Sequence, residues 1–264
     1  MARRVVISYW VLPIISGLVW FGTLLGMLLS WLVDQNGRRY PNMKSDIAYI
    51  SSIGADRLGP LFITGCVITS VFLDLSFVAE RWLRHRGRLI PNSSVGEKIL
   101  AYLTIVFALF GTVGLICLSV FDSRRHKRLH NSFLLLFIVG YMISAIFICW
   151  EYQRLKIKNR DHKMLRISFW VKLGFIIVEL SLCVIFAACA LTKNRNPAAI
   201  FEWIISFIFT FYVFSFVIDL YPAVRTKNLD ARFPKPVTVR DTDPEDSVSN
   251  ESYNGPTQPN MVTV

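Results

Sequence analysis

Six stretches of the chain stay apolar for about the length of a bilayer crossing, and short polar or basic segments separate them. A hydrocarbon core about 30 Å thick takes roughly 20 helical residues. The first stretch, Val5–Val33, carries no formal charge. It is too long for a signal-peptide core and has no convincing cleavage site, so it reads as a retained span. The second, Pro60–Ala79, is interrupted by Asp74, and the third, Ile99–Phe121, is again free of charge. The fourth is Asn131–Trp150. The fifth, Ile167–Leu191, contains Lys172 and Glu179. The sixth, Ala198–Tyr221, has Glu202 near its start and Asp219 near its end, and Pro222 stops it. The pattern predicts an all-α polytopic membrane protein with six transmembrane helices. Trp10, Trp31, Trp82, Trp150, Trp170 and Trp203 lie near span ends, where amphipathic rings favour the interface. Gly22 and Gly26 form a GxxxG pair that would allow close helix approach.

Composition agrees with this pattern. Of 264 residues, 53% are hydrophobic, with 20 Phe and 7 Trp, and the mean hydropathy is +0.46. These values exclude an ordinary soluble globule, a disordered chain and a disulfide-rich secreted domain. All five cysteines (Cys66, Cys117, Cys149, Cys183 and Cys189) fall inside the apolar runs. They are expected to be small buried hydrophobes rather than a disulfide framework.

Charge adds a direction. The net charge is +11, and no nucleic-acid-binding motif accompanies it, so nucleic acid is not an expected partner. Six spans put both termini on one side. That side would hold the N-terminal arginines, the 81–88 and 154–166 segments, Lys98 and the tail, 18 Lys and Arg together, against 10 opposite. Positive-inside bias makes the richer side, and both termini, cytoplasmic. Residues 1–222 then form the membrane domain. Residues 223–264 are polar and Pro-rich, with an acidic stretch at 241–251, and read as a disordered cytoplasmic tail. The sequons at Asn92 and Asn250 both fall on the cytoplasmic side in this topology and should carry no glycan.

Ionisable groups inside the spans are the first candidate site, because such groups are costly and normally face protein or water. The cluster is Asp74, Lys172, Glu179 and Asp219. Helix directions place Asp74, Lys172 and Asp219 in the cytoplasmic third, so Lys172 can pair with either acid. Glu179 lies nearer mid-membrane with no evident partner. The second candidate is the outer loop Phe121–His130. Asp122, His126 and His130 share an i, i+4, i+8 spacing that suits acid–base chemistry or zinc. The loop lacks a strong third ligand, so no metal and no cofactor are assigned. Arg124, Arg125, Lys127 and Arg128 there can pair with lipid phosphate. The chain carries none of the P-loop, GxSxG or GxGxxG motifs.

A third segment, Ala48-Tyr49-Ile50-Ser51-Ser52-Ile53-Gly54, precedes the second span. It resembles the P-x-I-S-x-x-G loop of the Frag/DRAM/Sfk family. Asp122 to His130, followed by a fourth span rich in aromatics (Phe133, Phe137, Tyr141 and Phe147), is similar to that family's second outer loop with its histidine. The likeness covers about Tyr9–Pro222 and is nearest to the fungal Sfk-like branch. The chain departs from the motif at Ala48, usually proline, and at Ser52, often an acid, which leaves Asp46 and Asp56 as the nearby carboxylates. Carried over by position are Ile50, Ser51, Gly54, Asp122 and His130.

The resemblance implies a role in lipid homeostasis. The leading reading is a non-catalytic membrane regulator of phospholipid organisation, through phosphoinositide kinase regulation, lipid asymmetry or an autophagy-linked route. Ile50, Ser51, Gly54, His126, His130, Arg124 and Arg125 would contact lipid, and the cytoplasmic loops would attract anionic phospholipids and a lipid-kinase complex. The plasma membrane is the expected location, with endomembranes or the vacuole or lysosome as alternatives. A second reading is a GPI-anchor lipid-remodelling enzyme or accessory factor, with Asp122 and His130 as its catalytic pair. A third is a small transporter using Glu179 and Lys172.

Overall fold

The computed structural model describes residues 8–40, 43, 45–160, 162–226 and 233. Among them every regular element is helical. Helix α1 spans Val11–Leu29 and ends in a π-helical turn, Ser30–Asp34. A short helix α2, Ile50–Gly54, precedes α3, Gly59–His85. Then come α4 (Val95–Val120), α5 (Lys127–Lys158), α6 (Lys163–Leu191) and α7 (Arg195–Leu220). The six long helices are each long and apolar enough to cross a membrane. The loops divide between two ends. One, here the motif end, holds residues 35–40, 45–58, 121–126 and 192–194. The other, the basic end, holds residues 86–94, 159–160 and 162.

The helices overrun the apolar runs at the basic end. α3 continues past Ala79 to His85 and α5 past Trp150 to Lys158, while α4 and α6 each begin four residues before their runs. Nothing in a Glu-, Arg- and Leu-rich turn asks an already nucleated helix to stop where the hydrocarbon would. Specific signals stop it. Gly87 takes φ +68° just after α3, a left-handed conformation that a side chain would oppose. Ser94 caps α4. Its hydroxyl accepts from the Glu97 N–H at 3.2 Å, and the Glu97 carboxylate accepts from the N–H groups of Ser93 (2.8 Å) and Ser94 (3.2 Å).

Each long helix packs on its neighbour in sequence, and α7 returns beside α1, closing a ring. The closest crossing joins α4 to α5. A side chain at Gly114 would meet the Phe137 backbone nitrogen at 2.4 Å, and one at Gly140 the Gly111 nitrogen at 2.5 Å. The Gly22–Gly26 pair has no such role: Gly22 faces open space and Gly26 meets only a Leu61 methyl. Small residues allow close approach only where another helix crosses them, which the pair alone does not determine.

After α7 the chain makes a 3-10 turn, Tyr221–Val224. Arg88 donates to the Ala223 carbonyl (2.6 Å) and the Thr226 hydroxyl to that of Arg88 (2.5 Å). The α3–α4 loop thus offers partners for this turn. Apart from Phe233, residues 227–264, with the acidic stretch and Asn250, lie outside the described residues.

Candidate functional site

At the motif end, α7 holds the loop that contains α2 in place. The Glu202 carboxylate accepts from the Ile50 N–H at 2.8 Å, capping α2, and the Trp203 indole donates to the Ala48 carbonyl at 2.9 Å. The Tyr49 hydroxyl donates to the Arg195 carbonyl (2.9 Å). Burial, with the Glu202 charge beside it, raises the Tyr49 pKa. Asp46 pairs with Asn196 (2.7 Å) and with Arg39, which hold its carboxyl below the usual carboxylate range. Ile50 and Gly54 are buried. A side chain at Gly54 would strike the Phe62 ring at 2.6 Å. The Ile50 and Gly54 positions of the motif therefore dock a short helix onto α3 and α7, and Ser51 remains half-buried.

The α4–α5 loop lies against the loop that contains α2. Ser123 donates to the Ser51 carbonyl at 3.4 Å, and Arg124 pairs with Asp56 at 3.3 Å. Asp122 serves its own turn, accepting from the N–H groups of Arg124 (3.0 Å) and Arg125 (2.6 Å). His130 is buried in α5. Its Nδ1 lies 2.9 Å from the Leu118 carbonyl and 3.0 Å from that of Phe121. Carbonyls only accept, so Nδ1 carries the proton and the ring caps the C-terminus of α4. No hydrogen bond joins Asp122 to His130 among the described residues. The i, i+4, i+8 spacing fails to align the three because α5 starts only at Lys127, leaving Asp122 and His126 off the helix. His126, Arg125, Lys127 and Arg128 are exposed.

Inside the ring the expected ionic pairing occurs, with one of its two offered partners. Lys172 donates to Asp219 Oδ2, and Ser168 donates to Asp219 Oδ1. Both ionic side chains are essentially fully buried, and the ammonium sits 4.1 Å from the Phe216 ring centre. Asp74 does not take part. It accepts from the Thr112 hydroxyl at 2.8 Å, which contacts the Tyr141 hydroxyl at 2.7 Å. α6 and α7 are ring neighbours, whereas α3 packs on α1 and α4.

A larger network goes unread in the sequence because it lies beyond the apolar runs. Glu80 Oε1 accepts from the Tyr152 hydroxyl (2.6 Å) and from Arg84 Nη2 (2.7 Å) and Nε (3.2 Å). Arg84 Nη1 donates to the Ile90 carbonyl (2.9 Å), and its Nε is 3.8 Å from Glu151. Asn92 donates to Glu151 at 2.7 Å. The Tyr152 ring lies 5.1 Å from both the Arg84 guanidinium and the Lys172 ammonium, linking this network to the Lys172–Asp219 pair. The i, i+4 spacing of Glu80 and Arg84 was the available signal. Asn92 is itself buried, so its sequon cannot accept a glycan in the folded protein on either side of a membrane.

The tryptophans differ between the two ends. Trp31 and Trp203 are buried and bond to the Arg38 and Ala48 carbonyls, so neither is an interface anchor. Trp82, Trp150 and Trp170, at the basic end, are 47%, 47% and 60% exposed. Each has a cation near its ring: Arg86 at 4.5 Å, Arg154 at 5.6 Å and Lys156 at 5.2 Å.

The family model described as the Frag1/DRAM/Sfk1/Cwh43P N-terminal domain matches residues 8–223. Protein sfk1 of Schizosaccharomyces pombe is 31% identical over 215 residues, which is 80% of this chain and 63% of that protein. Protein SFK1 of Saccharomyces cerevisiae is 25% identical over 265 residues, 76% of this chain and 74% of that protein. The chain thus spans slightly less than two thirds of the length of the first of these relatives. No solved structure matches.

Proposed function

The chain belongs to the Frag1/DRAM/Sfk1/Cwh43P N-terminal domain family, and from that premise we propose that it is a non-catalytic regulator of phospholipid organisation in the plasma membrane. In this reading its basic end faces the cytoplasm, gathers anionic headgroups and presents them to a lipid-kinase complex. One observation carries the reading: the exposed Trp82, Trp150 and Trp170, each with a cation beside its ring. Exposed indoles settle at headgroup depth. Each Lys or Arg held there contributes roughly 1 kcal/mol toward an anionic surface. Arg154, Lys158 and Arg160 are exposed beside them. At the motif end, the separate partners of Asp122 and His130 favour this reading over an acid–base enzyme.

The test is recruitment of a fluorescent phosphatidylinositol phosphate around the full chain in nanodiscs of otherwise neutral lipid. Replacing Arg154, Lys156, Lys158 and Arg160 together by glutamine should lower the enrichment several-fold and flatten its dependence on salt. Enrichment equal to wild type would remove the basic end from the proposal.

A further inference from the structure

Between α5, α6 and α7, with Trp20 of α1 behind it, lies a half-open cavity of about 70 Å³. Its walls are mostly apolar, with Phe137, Met142, Phe175, Ile205 and Phe209 among them. Glu179 also lines it, from the middle of α6. This residue is only 9% exposed, and its Oε1 is buried with no hydrogen-bond partner. Among the described residues no lining group bonds Glu179: the Trp20 indole donates to the Ser206 carbonyl at 3.0 Å and the Tyr141 hydroxyl contacts Thr112, while Ser206, Tyr212 and Cys183 also face the cavity. A buried carboxyl oxygen left without a donor is costly. An ordered water suits an apolar-walled site poorly, since it wants about three polar partners.

We propose that this cavity binds a membrane-borne molecule with an apolar body and a single hydrogen-bond donor, a hydroxyl or an amine, which Glu179 receives. The position of Glu179 midway along a span means that such a ligand enters from the bilayer. The cavity accommodates only its donor-bearing end, and the open side leaves the rest among lipid chains. A phosphate headgroup does not fit, because the lining offers an acid and no Lys or Arg. The site is separate from the basic-end headgroup reading, and either can fail without the other.

Three photoactivatable probes with the same long alkyl chain test this on the full chain in phosphatidylcholine nanodiscs: an alcohol, an amine, and a methyl ether that lacks the donor. Wild-type protein should capture a donor-bearing probe roughly tenfold more than the ether at the α6 and α7 peptides, the scale of one hydrogen bond to a buried acceptor. Glu179→Leu should abolish that preference. This variant discards an unpartnered polar group, and a thermal melt no lower than wild type verifies its fold. In Glu179→Gln, capture of the alcohol at the wild-type level identifies a hydroxyl ligand, and capture lost for the amine alone identifies an ammonium. Equal capture of the ether by wild type, or an undiminished preference in Glu179→Leu, overturns the proposal.

Discussion

Two buried acidic sites in one ring of helices are treated in opposite ways. At the basic end, Glu80 and Asp219 face Arg84, Lys172, Tyr152 and Ser168, and each carboxylate has both charge and hydrogen bonds for company. Nearer the middle of the membrane, Glu179 faces rings and methyl groups, with one oxygen unbonded. The first arrangement resembles a structural clasp: four helices and a loop meet there, every ionic group in it is paired, and the Asn92 Oδ1 is left without a partner. The second leaves bonding capacity unused, which structural economy alone does not explain. A buried polar group with every bond made rigidifies its surroundings, whereas one with a bond missing is where a ligand can act.

The contrast can be broken most forcefully at Arg84. Arg84→Met leaves Glu80 and Glu151 buried without their shared cation, and a loss of about 5 kcal/mol is expected, at the upper end for a severed buried pair. Thermal unfolding in detergent, or failure to accumulate, would reveal it; a melt near wild type would show that the network is dispensable. Next comes Lys172→Leu, which strands Asp219 and should cost about 3 kcal/mol. Adding Asp219→Leu should recover most of that loss, whereas adding Asp74→Leu should not, since Asp74 bonds Thr112 instead. Additive losses for the Lys172 and Asp219 changes in a double-mutant cycle would deny the pairing. The smallest effect has the opposite sign. Glu179→Leu should stabilise by about 1 kcal/mol, raising the melting temperature by roughly 2–4 °C. A clear destabilisation would place Glu179 with the clasp after all.

The two loops at the motif end show how far residues read in order can go. Ile50, Ser51 and Gly54 stood out only through the family resemblance, and their loop does sit beside Asp122–His130. What holds it there did not stand out. Glu202 and Trp203 are some 150 positions away and look, within their own run, like one acid and one ring at a span entrance. His130 was legible as a special residue but not as a cap on α4, because spacing along a presumed helix says nothing about where that helix begins. Likewise the apolar-run criterion that found Lys172 and Glu179 could not find Glu80, Arg84 or Glu151, since it stops where they begin.

The linear chain by itself determined the number of long helices, their approximate extents, the family resemblance and the burial of Lys172 beside an acid. The resemblance rests on the two loop motifs; the rest follows from runs of transfer free energy along the backbone, a property each segment carries alone. Only the tertiary structure decided which acid Lys172 meets, that Arg84 lies at the centre of a second network, and that Glu179 meets none of these groups. Those outcomes depend on which helices are neighbours around the ring and how each is rotated, and hydrophobicity, having no direction within the membrane, does not specify either.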